Sequence, residues 1–202
     1  MSETGVVKFT CEHHGVTLPM FAGFDELNGC RGKLIQLGLI GVDRNGIGFG
    51  NLSMRATEAD AFYITGSGTG GLSQLGLEHF AKVTAYDFTR NWLQCEGGTV
   101  ASSESLTHAA IYEADRQVAA VIHCHSRSVW ERLLATGVAT DAAVEYGTPE
   151  MAEEVRRLFG YGGAEAPQLL AMAGHEDGVV AVGSSLEDAL SVLLAECGAV
   201  SS

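Results

Sequence analysis

The stretch "SSESLTHAAIYEADRQVAAVIHCHS", Ser102 to Ser126, places a helix and a strand side by side with almost nothing between them. Ser102 and Ser103 are helix-starting residues, Glu104 suits a first turn, and Leu106, Ala109, Ala110, Ile111 and Ala114 fall near one face. This pattern predicts a helix over 102–117. "VAAVIHCHS" is an apolar run that ends in two histidines and reads as a strand. A helix feeding directly into a strand points to a layered α/β fold.

Side chains alternate along a strand, so His123 and His125 share a face and Cys124 points to the opposite one, into the core. Two imidazoles on one face can supply two ligands of a divalent metal, although satisfied or exposed strand histidines fit the pattern as well. His175 lies in the turn of "AMAGHEDGVV", between two strands able to pair beside the first, which makes a three-histidine site possible. Glu104 can serve as a general acid/base close to such a metal, or simply complement the helix dipole. Ser102 and Ser103 can cap the helix or, with its free amides, form an anion pocket. His108, one turn after Glu104, reads as a packing or hydrogen-bonding residue.

Working outward, residues 25–38 suit a helix with a glycine stop, and "AFYIT" (61–65) suits a short strand. Residues 72–83 suggest a helical turn that runs into a strand through "KVTAYDFT", with "NWLQCEGG" returning as a hairpin. "TPEMAEEVRRLFG" is a helix with Pro149 near its start and Gly160 as its stop. "LLAMAGHEDGVVAVG" reads as strand, turn and strand, and "SLEDALSVLLAECGA" as the closing helix. The order predicts a mixed or largely antiparallel sheet rather than a doubly wound one.

The 202 residues suit one domain, and 46% hydrophobic against 18% charged residues excludes a disordered chain. A formal net charge of −13 repels phosphate backbones and anionic membranes, which argues against nucleic-acid and membrane partners. Without a signal segment or a long apolar run the chain is expected in the cytoplasm. Five cysteines, none in a CxxC pair, suggest reduced thiols. Glycines gather in "NGIGFGN", "TGSGTGG" and "GYGG" (160–163). Beside the first two, Asn51, Ser67 and Gly68 can supply amides and a hydroxyl to a phosphate or carboxylate.

Taken in order, "GNLSMR", "ITGSG", "SSE", "VIHCHS", "EYGTPEMAEEV" and "GHEDGVVAVGSSLEDAL" resemble the successive signatures of the class II aldolase/adducin family, from about Phe24 to about Leu194. The resemblance implies one domain over residues 1–202, with 1–23 as an N-terminal extension. It also implies a three-layer α/β/α fold around a mostly antiparallel sheet, assembled as a homotetramer. His123, His125 and His175 would bind a divalent metal, commonly zinc, and Glu104 would be the catalytic acid/base. Asn51, Ser67, Gly68, Ser102 and Ser103 would hold the phosphate of a small hydroxy-ketone, cleaved or formed through a metal-stabilised enediolate. Epimerisation, dehydration or decarboxylation could use the same site, and an adducin-like assembly role is the non-catalytic alternative.

Two features depart from the family pattern. The sugar-phosphate aldolases of the family carry a proton-donating tyrosine in a longer segment after the histidine strand, and Tyr146 belongs instead to the start of the "TPEM" helix. "GHEDG" stands where the family has His-Gly, so Glu176 and Asp177 read as a lengthened turn or as a change of substrate.

Overall fold

Ala120–His125 (β8) is an interior strand of the sheet, paired along both of its edges. The computed structural model describes residues 9–58, 60–160 and 166–200. Most of the "GYGG" cluster, and the first eight residues of the expected N-terminal extension, lie outside the described residues.

Eight strands form one sheet: Thr10–Gly15 (β1), Asn51–Arg55 (β4), Phe62–Thr65 (β5), Phe80–Asp87 (β6), Trp92–Gly97 (β7), β8, Leu169–Ala171 (β9) and Gly178–Gly183 (β10). The order is β1-β7-β6-β5-β4-β8-β10-β9. Every pairing is antiparallel except β1 on β7, so the sheet is mostly antiparallel, as expected. Thr10–Gly15, inside the stretch read as an extension, therefore supplies an edge strand. A separate two-stranded hairpin joins Gly41–Val42 (β2) to Gly48–Phe49 (β3).

Five helices accompany the sheet: Phe24–Gln36 (α1), Ser105–Ala114 (α2), Arg127–Thr136 (α3), Pro149–Phe159 (α4) and Leu186–Val200 (α5). Strand β8 shows how the core is divided. Val121 joins an apolar cluster with Leu106 and Ile111 of α2 and Val155 of α4. Its neighbours Ala120, Ile122 and Cys124 join a second cluster with Leu34 of α1, Val129 of α3 and Leu193 of α5. The alternation leaves His123 and His125 on the Val121 side, where α2 starts. Burying a side chain such as Ile122 or Leu34 stabilises the fold by about 1.5–3 kcal/mol.

Two helices differ from the sequence expectation. α2 starts at Ser105, because the Ser102 carbonyl accepts both the Ser105 amide (3.0 Å) and its hydroxyl (2.6 Å), turning the chain before the helix begins. It ends at Ala114, where Asp115 becomes extended and its carboxylate accepts the Gln117 amide (2.8 Å). Helix α3 is the second difference, an element absent from the sequence expectation. Its Trp130 indole donates to the Met172 carbonyl (3.0 Å), tying the chain just after β9 to α3.

Candidate functional site

His123 stands opposite Asn51 of β4 and Val180 of β10, deep in the sheet, and His125 stands opposite Gly178. Beyond β9 the chain makes a tight turn in which the His175 amide donates to the Met172 carbonyl and the Gly178 amide to the His175 carbonyl, both at 2.9 Å. That turn carries the His175 ring over the two strand histidines. Ring centroids lie 5.3 Å apart for His123 and His125, 5.1 Å for His123 and His175, and 4.8 Å for His125 and His175. One nitrogen from each ring lies within 4.8 Å of the others.

The protonation chemistry suits ligation. Burial, helped by the neighbouring imidazoles, pushes His123 well below its ordinary value, and burial followed by His175 pushes His125 down to about 3. Both rings are therefore neutral, the form that donates a lone pair to a metal. His123 Nδ1 donates to the Val179 carbonyl at 3.2 Å, which fixes the tautomer and leaves Nε2 as the lone-pair nitrogen. His125 Nε2 and His175 Nδ1 are buried without a hydrogen-bond partner. Each such orphan costs about 1–3 kcal/mol unless something engages it, and a divalent cation is the group that three converging imidazoles fit.

Glu104, only 2% exposed, sits at the N-cap of α2. Its Oε1 is 3.4 Å from His175 Nδ1, close but not placed for a hydrogen bond, and its Oε2 accepts the Thr107 hydroxyl at 3.3 Å. The same cavity, of about 380 Å³, is lined by His123, His125, His175 and Glu104 together with Ser102 and Ser103. Asn51, Ser67 and Gly68 line it too, so every residue that the sequence marked for metal, substrate or proton transfer faces one space.

Glycine is required at two points of that wall. Gly50 has φ +81° and its missing Cβ would lie 2.5 Å from Ile40, so the turn that delivers Asn51 tolerates no side chain. A Cβ at Gly70 would lie 2.3 Å from the Gly41 carbonyl, where the β2–β3 hairpin presses on the loop.

Several residues of the site were not found from the sequence. Tyr146 is 5% exposed, with its ring 4.7 Å from His175 and inclined by 31°. Phe49 lies 5.0 Å from the His125 ring. Both reach the histidines from distant parts of the chain, and no local spacing signals that. Asp43, Asn45 and Ile47 bring the hairpin tip to the rim, held by the Asp43 carboxylate accepting the Asn45 and Ile47 amides at 2.8 Å.

Other expectations take definite form. His108 is fully buried, is hydrogen-bonded through Nδ1 to the Ser53 hydroxyl (2.7 Å), and is pushed down to about 3 by burial. Cys124 is buried on the opposite face from the histidines. Asp177 takes a left-handed conformation (φ +64°), and Arg127 bonds both Glu176 (2.5 Å) and Asp177 (3.3 Å), so the two acids of the turn are tied to α3. Both also line the cavity rim.

The family described as Class II Aldolase and Adducin N-terminal domain matches residues 43–196. Among solved structures, an L-fuculose 1-phosphate aldolase is 21% identical with a TM-score of 0.67, over 91% of this chain and 84% of that one. The L-fuculose-1-phosphate aldolase of Thermus thermophilus is 20% identical with a TM-score of 0.64, over 88% and 90%. YgbL from Escherichia coli, a candidate aldolase/epimerase/decarboxylase, is 19% identical with a TM-score of 0.64, over 86% and 84%. At these identities the likeness is one of fold. No curated protein sequence matches the chain, and among the described residues no helix is long and apolar enough to cross a membrane.

Proposed function

This chain belongs to the Class II Aldolase and Adducin N-terminal domain family, and on that premise we propose that it is a metal-dependent lyase. Its reaction cleaves or forms a carbon–carbon bond in a small, phosphorylated hydroxy-ketone. The observation that carries the reading is the convergence of three imidazoles, those of His123 and His175 buried and that of His125 half-buried, beside a buried carboxylate in one cavity.

His123, His125 and His175 would hold the divalent cation, zinc by ligand type. When bound it would act as a Lewis acid toward the substrate carbonyl. Glu104 moves the proton: its Oε1 faces the histidines, while the Thr107 hydroxyl on Oε2 keeps the carboxylate aimed. The Ser102, Ser103 and Ser67 side chains, the Asn51 side chain and the Gly68 amide hold the phosphate. Tyr146 and Phe49 flank the histidines and exclude water from them. The reading extends to a cytoplasmic homotetramer of one domain, its N-terminal extension contributing the edge strand. Its layers are α2 and α4 against one face of the sheet and α1, α3 and α5 against the other.

A second reading keeps the site and changes the reaction to epimerisation, dehydration or decarboxylation. It is favoured by Tyr146, which packs on His175 instead of standing in the segment that carries the aldolases' proton donor. An adducin-like assembly role has less support, since the ligand set and Glu104 are all in place. The test is metal analysis of the purified protein, followed by NMR of products from a panel of hydroxy-ketone phosphates. Stoichiometric metal and two-carbonyl cleavage products support the lyase, and a rearranged or decarboxylated single product supports the second reading. A protein that takes up no divalent metal overturns both.

A further inference from the structure

Arg31 lies in α1, is 2% exposed, and sits one residue layer behind the cavity wall. Its Nη2 donates to the carbonyls of Thr69 (2.7 Å) and Gly70 (3.3 Å), and its Nη1 donates to the carbonyl of Leu72. All three acceptors are backbone carbonyls, and among the described residues no carboxylate pairs with it. An arginine does not give up its proton, so this is a buried positive charge with no counter-ion. Thr69 and Gly70 themselves line the cavity.

The cavity has the opposite deficit. Asp43, Glu104, Glu176 and Asp177 line it, and no lysine or arginine does so among the described residues. A phosphate held there by serine hydroxyls and amides meets four carboxylates, of which Glu176 and Asp177 are paired with Arg127 while, among the described residues, Asp43 and Glu104 have no lysine or arginine partner. In a trans peptide the carbonyl and the following N–H point in opposite directions, so drawing the Thr69 carbonyl toward α1 turns the Gly70 amide away from it.

We propose that Arg31 is the positioning residue and charge source of the anion subsite: it pins the 66–72 loop by its carbonyls and supplies, from behind the wall, the positive charge that a bound phosphate neutralises. This rests on the anion-binding reading of the same loop and adds to it a residue that touches no substrate. The substituted residue must separate charge from anchoring. Arg31→Gln keeps amide donors for the carbonyls and removes the charge, whereas Arg31→Lys keeps the charge and loses the fork.

The experiment is calorimetric titration of the zinc-loaded full chain with inorganic phosphate and, separately, with uncharged dihydroxyacetone. Arg31→Gln is expected to weaken phosphate roughly tenfold or more and to leave dihydroxyacetone within about twofold, while Arg31→Lys retains most of the phosphate affinity. Equal phosphate binding by wild type and Arg31→Gln overturns the proposal. So does a parallel loss of both probes in both variants, which would make Arg31 a structural pin alone. Repeating the phosphate titration on metal-free protein separates failure at the histidines from failure at Arg31. A wild-type chain that takes up zinc but no phosphate overturns the anion subsite and the role of Arg31 together.

Discussion

His13 and His14 sit next to each other on β1, and His123 and His125 sit two apart on β8, in the same sheet. Adjacent positions send the first pair to opposite faces of an edge strand. His13 Nε2 bonds the Gly97 carbonyl (2.9 Å), and His14, with its side chain 49% exposed, lies 3.1 Å from Glu12. The second pair shares one face of a strand covered on both edges, and there His125 Nε2 and, on the turn above, His175 Nδ1 find no protein partner. The same side chain is thus a satisfied surface residue in one region and a member of a converging cluster with orphaned nitrogens in the other. Spacing and depth in the sheet make the difference.

The comparison breaks most decisively at the buried end. His123→Ala is expected to abolish divalent-metal uptake and turnover together, whereas His13→Ala and His14→Ala leave both within about twofold, as read by metal analysis and a chelator competition. Metal loss in the β1 variants would end the distinction. Next in size, Glu104→Gln is expected to lower turnover by about 10²–10⁴-fold while the metal content stays unchanged, an outcome that would separate a proton-moving group from the ligands.

His108 offers a third kind of histidine, buried and hydrogen-bonded through one nitrogen. Its proton affinity in the fold, about 3, lies below the ordinary 6.5, so the unfolded chain binds more protons between those values. Its contribution to stability is present above pH 6.5 and is lost as the pH falls toward 3. Urea unfolding of metal-free protein at pH 7 and pH 5 is expected to show a gap smaller by about 2 kcal/mol in His108→Gln than in wild type. An unchanged gap would place His108 in contact with water. The smallest effect belongs to Arg127→Ala: its exposed pairs with Glu131, Glu176 and Asp177 are screened by water, so the urea midpoint barely moves, and metal affinity stays unchanged if the two acids serve the turn alone.

Legibility followed local physics. α1, α4, α5 and the β9–β10 pair carry their own periodicity and stop signals, so their limits lie within a few residues of expectation. Val129, Trp130, Leu133 and Leu134 followed by Gly137 carry a comparable pattern for α3, which a closer count of apolar positions would have found. β1 has no such pattern: "TCEHHG" is mostly polar because an edge strand needs only one partner, and its parallel register on β7 is made across more than eighty residues.

In the site itself, period-two geometry on an apolar strand was enough to put His123 and His125 on one face, and the glycine turns were enough to mark Asn51, Ser67 and Gly68. Those are properties of a few consecutive residues, and backbone sterics alone enforce them. The tertiary structure decided that His175 and Glu104 meet that face, that Tyr146 and Phe49 flank it, and that Arg31 stands behind the 66–72 loop. Each of those contacts joins elements far apart in the chain, and only the packing of the helices against the sheet brings them within reach.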